Sequence, residues 1–106
     1  MEAIDRKILK KLKSMLQERV KLHQVILFGS RARGDAQPDS DMDVLVVLNE
    51  ARTRKTRRII SQCAWEAGFD EGVVIAPVVV SRDHWEKGPE RASLLAIAVR
   101  EEGVAI

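Results

Sequence analysis

A second cysteine is missing from this chain, and with it any internal disulfide. Cys63, among Ile59, Ile60 and Trp65, reads as a small core residue, because no evident partner marks it as a reactive thiol. Long hydrophobic runs are missing too. The longest, such as Val73 to Val80, are strand-sized, so nothing here reads as a membrane-spanning helix. Met1 leads into a charged amphipathic segment without the apolar stretch of a secretory signal, which points to the cytoplasm. Charge of one sign is not in excess: 18 Lys and Arg against 16 Asp and Glu leave +2, so the chain as a whole is no polycation. His23 and His84 lack metal-ligand spacing and a triad-like setting. No repeat, low-complexity segment or internal linker is evident.

What is present fits one folded unit. A length of 106 residues supports a single domain, 1–106, with a real core, and 45% hydrophobic residues exclude a disordered chain. Any second substrate must then be gripped by another chain or left largely exposed.

Apolar residues at Ile4, Ile8, Leu9, Leu12, Met15 and Leu16 recur at helical spacing, predicting an amphipathic helix from Glu2 to about Val20. Gln24 to Phe28 is a short β-prone run ended by Gly29, and Ser30 to Gly34 is long enough for one or two helical turns. Asp35 to Asp39, with Pro38, reads as loop. Met42 to Leu48 is apolar apart from Asp43, which marks a strand covered on both faces. Glu50 to Ala67 predicts a third helix stopped by Gly68. Val73 to Val80 is β-branched, and Pro77 places it at an edge or a bulge. Ser81 caps a short turn through Trp85, and Pro89 opens a last helix to Glu102 that Gly103 ends. The order α-β-α-β-α-β-α implies an α/β (α+β) fold, a small mixed sheet with helices packed on it.

Chemistry concentrates at Gly29-Ser30, ten residues, then Asp41-Met42-Asp43. Glycine lets a backbone turn sharply or approach a ligand closely, and a serine opening a helix leaves amide N–H groups and a hydroxyl facing outward, a place for phosphate. Asp41 and Asp43 are two apart, so on a strand both leave the same face roughly 6.5–7 Å apart along the backbone. Two such carboxylates suit Mg²⁺. Asp43 also interrupts an apolar run, where a charge is costly unless paired or metal-bound. Arg31 and Arg33 follow the serine, where guanidinium groups can pair with phosphate oxygens or simply meet solvent. Asp35 stands near enough in sequence to approach the metals, although loop acids usually just face water; Asp39 and Ser40 either support the pair from behind or simply cap the loop, and the cap is favoured.

Two further features are weaker. Five of the seven residues from Arg52 to Arg58 are Arg or Lys; with no aromatic residues between them as stacking platforms, a solvated face is favoured over nucleic acid. Trp65 and Trp85 read as packing or interface anchors, with Trp85 the better interface candidate because its segment is short and polar.

Read as Gly29-Ser30-x10-Asp41-x-Asp43, the chain resembles the minimal nucleotidyltransferases of the DNA polymerase β-like superfamily. The element order and the tail Arg100-Glu101-Glu102-Gly103-Val104 are similar to that family as well. The resemblance implies that Gly29 and Ser30 contact a triphosphate and that Asp41 and Asp43 ligate Mg²⁺. It further implies transfer of a nucleoside monophosphate from an NTP, ATP by resemblance, to a hydroxyl, with release of pyrophosphate. Many such proteins are similar to the antitoxin half of a toxin–antitoxin pair, which makes a small helical HEPN-type protein, or a homo-oligomer, the expected partner. Fully active members of the superfamily carry a third carboxylate on a later strand; Val73 to Val80 holds none, and Asp70, Glu71 and Asp83 flank it out of register. The alternative is therefore a catalytically weak or inactive nucleotide-binding subunit that neutralises its partner by contact.

Overall fold

The computed structural model describes residues 1–88 and 93–106. Its elements are α1 (Ala3–Arg19), β1 (Leu22–Phe28), α2 (Ser30–Arg33), β2 (Met42–Leu48), α3 (Arg54–Phe69), β3 (Ile75–Ser81), α4 (Arg82–Lys87), α5 (Leu94–Glu102) and β4 (Val104–Ala105). The four strands form one sheet in the order β3-β2-β1-β4. β1 runs antiparallel to β2 and β4, while β2 and β3 are parallel. This is the mixed sheet expected from the element order. Among the described residues no helix is long and apolar enough to cross a membrane.

The near-continuous apolar run of β2 follows from its place. Met42, Val44, Val46 and Leu48 pack on one face against Ile8, Leu12 and Leu16 of α1 and Ile60, Cys63 and Ala64 of α3. Leu45 and Val47 point the other way, into a smaller cluster with Ile26, Val80, Val99, Phe28, Val78, Trp85 and Leu95. Strand alternation thus serves two cores at once. Asp43 shares the second face, at the strand end where that cover is thinnest.

Several boundaries depart from expectation for local reasons. The third helix starts later than Glu50, at Arg54, because the Thr53 hydroxyl accepts from the Thr56 N–H at 3.1 Å and fixes the cap. Gly68 lies inside that helix and does not end it. It is buried, and a side chain there would overlap the Val73 carbonyl, so the glycine serves close packing. β3 occupies the sheet edge, as Pro77 requires, and Ser81 caps α4 through the His84 N–H. The last helix is described from Leu94 with Ser93 as its cap, and the expected opening at Pro89 lies outside the described residues. β4 is an addition: two residues after Gly103 pair with Ile26 and Leu27 of β1.

The smaller core makes a direct test. Leu45 is fully buried in it. Leu45→Ala is expected to cost about 2–4 kcal/mol, read as an earlier midpoint in urea unfolding followed by circular dichroism.

Candidate active site

The site begins where β1 ends. Register pairs Phe28 with Asp43, which brings the following residue, Gly29, over the Asp43 side chain. Gly29 has φ 78°, in the left-handed region, and a Cβ added there would collide with Asp43 Oδ2. Both facts require glycine. The chain then turns into α2, a single helical turn whose first two amides, of Ser30 and Arg31, donate to no described residue.

Asp41 lies just before β2, exposed, and Asp43 is its second residue, half-buried. Neither carboxylate forms an ion pair or hydrogen bond with a described residue. Burial pushes the Asp43 carboxyl above its ordinary range; the charges of Asp41 and Glu102 add to this, and Arg33 opposes it. A half-buried carboxylate without a protein donor keeps its charge only with help from water or a cation, or takes up a proton, and a cation compensates it most fully. Among the described residues no three His, Cys, Asp or Glu side chains gather closely enough to hold a metal ion. Two hard oxygen donors beside a turn with open amides nevertheless have the chemistry to hold Mg²⁺, were its remaining positions filled by water or a ligand.

The two arginines of α2 have opposite fates. Arg31 is buried, its Nη1 donating to Asp5 Oδ1 of α1 at 2.8 Å. Its Nε and Nη2 donate to the carbonyl of Ser40 at 3.1 and 2.7 Å, and Nη2 also reaches the carbonyl of Pro38 at 3.2 Å. The phosphate-pairing expectation for Arg31 thus meets a guanidinium committed to the interior, where it anchors the loop that delivers Asp41. Arg33 stays exposed. It donates from Nε to Asp35 Oδ2 at 3.2 Å and from Nη1 to Glu102 Oε2 at 3.0 Å, and its charge reaches Asp43.

Glu102 is the acid that the sequence reading left out. Its other oxygen accepts the Gly29 N–H at 3.1 Å, joining the end of α5 to the turn. The tail motif that contains it was the sole signal. The acids weighed for the later strand are placed elsewhere: Glu71 pairs with Lys7 at 2.9 Å and Asp70 with Lys11 at 3.4 Å, both on α1, while Asp83 is exposed on α4. Ala76 of β3 stands directly opposite Asp43 in the parallel register, with Val78 next along that face.

Other expected features lie apart. Arg54, Lys55, Arg57 and Arg58 are exposed on α3, while Arg52 donates to the Val79 carbonyl. Trp85 is half-buried against the smaller core, so the interface expectation passes to Trp65, which is 65% exposed and stacks on Phe69 with ring centres 4.7 Å apart. Those two rings border an apolar hollow of about 510 Å³ with Val74 and Pro77.

Residues 6–104 match the model of the nucleotidyltransferase domain. The chain belongs to the nucleotidyltransferase domain family. Among the nucleotidyltransferase relatives are two Methanocaldococcus jannaschii proteins provisionally named protein adenylyltransferases. One is 39% identical over 62 residues, covering 58% of this chain and 63% of the relative, and the other 40% over 45 residues, covering 42% and 45%. The chain therefore spans less than two thirds of those relatives' length. Among solved structures, a chain of a toxin–antitoxin complex with AMP-PNP superposes with a TM-score of 0.63 at 19% identity, over 91% of this chain and 69% of that one. A chain from the complex of a tri-AMPylated Shewanella oneidensis HEPN toxin with its MNT antitoxin gives 0.56 at 16% identity, over 96% and 70%. At such identities the likeness is one of fold.

Two measurements separate the roles in this site. Arg31→Ala strands the Asp5 carboxylate in the core and is expected to cost about 3 kcal/mol in urea unfolding, whereas exposed Arg33→Ala should cost under ~0.5 kcal/mol. Asp43 binds its proton more tightly folded than unfolded, so its contribution to stability falls as pH rises from its ordinary value of 3.8 and then stays at a constant penalty. In EDTA, Asp43→Asn is therefore expected to melt above the parent protein, by a margin that grows with pH and then levels off.

Proposed function

We propose that this nucleotidyltransferase moves AMP from ATP to a hydroxyl group of a protein partner, acting as the antitoxin-like member of a pair with a small helical HEPN-type protein. The observation that carries the reading is the Asp43 carboxylate, without a described protein partner, lying under the Gly29 turn, with Asp41 beside it and open amides at Ser30 and Arg31. The names of the curated relatives and the nucleotide and toxin in the structural neighbours support the same chemistry and partner.

In this reading Asp41 and Asp43 hold Mg²⁺, which would neutralise the triphosphate and make the α-phosphorus more electrophilic. The amides of Ser30 and Arg31 and the Ser30 hydroxyl take phosphate oxygens, and Arg33 adds a positive charge at the rim. Arg31 acts indirectly by fixing the loop before Asp41. The acceptor oxygen bonds to the α-phosphorus in line with the departing pyrophosphate, so most of the rate comes from alignment and charge. No β3 carboxylate stands ready to take the acceptor's proton, which therefore passes to solvent water, and slow turnover follows.

Ala76 at the position facing Asp43 also favours a second reading, in which the domain binds nucleotide and neutralises its partner by contact alone. One experiment tells them apart. Protein, co-expressed neighbouring partner and Mg-ATP are incubated and the partner is weighed by mass spectrometry. The enzyme reading expects a nucleotide-sized gain that Asp43→Asn lowers by ~10²-fold or more and Arg33→Ala by about tenfold. An unchanged partner mass, with neutralisation surviving Asp41→Asn and Asp43→Asn, selects the contact reading.

A further inference from the structure

Glu102 ties together three parts of the site that the chain visits far apart. It is the last residue of α5, and Gly103 after it cannot carry a side chain, since a Cβ would overlap the Val99 carbonyl and crowd Ile26. The chain then enters β4, where Val104 pairs with Leu27 and Ala105 with Ile26. Continued by two residues, that antiparallel register sets position 102 beside Gly29. The Glu102 carboxylate takes the place of a ladder acceptor there, receiving the Gly29 N–H on one oxygen at 3.1 Å. Its other oxygen receives Arg33 Nη1 at 3.0 Å. The side chain is only 23% exposed, against 47% for Arg33, so the pair is partly shielded from water.

We propose that Glu102 is a positioning residue for nucleotide binding: through these two bonds it fixes the Gly29 turn and holds the Arg33 guanidinium where it meets the triphosphate. This rests on the nucleotide-binding reading above and adds to it a residue that no strand motif supplies. Simple field effects predict the opposite, because removing a negative charge beside an anion site should strengthen anion binding. Glutamine in its place keeps a carbonyl for the Gly29 N–H but turns an amide N–H₂ toward Arg33, so it releases the arginine and leaves the turn braced. Gln therefore separates the two bonds.

The test is a double-mutant cycle read as the Kd of Mg-AMP-PNP by calorimetry, with thermal melting alongside. Glu102→Gln and Arg33→Ala are each expected to weaken binding by about 5- to 10-fold, and the double variant no further than Arg33→Ala alone. Melting temperatures should stay within ~3 °C of the parent, since the bonds lost are at the surface. Unchanged or tighter binding by Glu102→Gln overturns the proposal, as do losses that multiply in the double variant. If the parent protein itself shows no magnesium-dependent affinity, the nucleotide-binding reading is the one that fails, and the positioning role falls with it.

Discussion

The backbone of Gly29 lies against the carboxylate of Asp43, and the rest of the site is arranged around that contact. No other residue type fits, since any Cβ would enter the carboxylate and the backbone has positive φ. The fit works in both directions. It forces a sharp exit from β1, so that α2 starts over the end of β2, and it covers one side of Asp43 with main chain, contributing to the burial that raises its proton affinity. A helix of four residues follows, and residues two apart on a helix leave it about 200° apart. One of its arginines must therefore face the interior and the other the solvent. Arg31 takes the inner place and is paired by Asp5; Arg33 takes the outer one, next to Asp43 and Glu102.

The buried pair has a structural consequence. Asp5 belongs to α1 and the carbonyls of Pro38 and Ser40 to the loop before β2, so Arg31 links the first helix to the segment that aims Asp41. An ion pair of this kind adds little net stability over apolar packing, but losing one partner is costly, and so it acts as a fixed pin more than as a source of stability. The loop is held from within while its outer surface stays open to a ligand.

β2 and the glycine turn were legible in the sequence because their causes are local or strictly periodic. A seven-residue apolar run with one acid in its second place has few explanations, and its bounds, Met42 to Leu48, are those of the strand. Gly29-Ser30 is a turn signal of the same local kind. Arg31 was not legible, since one helical turn shows no period from which to read an inner face. Glu102 was still less so: 73 residues separate it from Gly29, and the two-residue strand that joins them is too short to leave a pattern. Gly68 misled for a related reason. A glycine near a helix end reads as a stop, but this one is set by the close approach of the chain at Val73, which only the fold reveals.

The distribution of charge around Asp43 explains how a site with no carboxylate on β3 can still be coherent. On the β3 side Asp43 faces Ala76, and beyond it Val78 lies beside Leu45 in the smaller core. An acid at Val78 would face apolar neighbours and destabilise that core, and one at Ala76 would raise the proton affinity of Asp43 further whenever no cation was present. The chain places its extra acid on the opposite flank, across β1, where Glu102 meets a backbone amide and an arginine. There the negative charge is compensated within the protein and does not depend on a metal. The arrangement leaves the turn braced from within the protein, with Asp41 and Asp43 at its edge making no side-chain bond to a described residue. Bracing of this kind lowers the ordering cost of binding for any ligand that seats on the turn, because less main-chain freedom is left to lose.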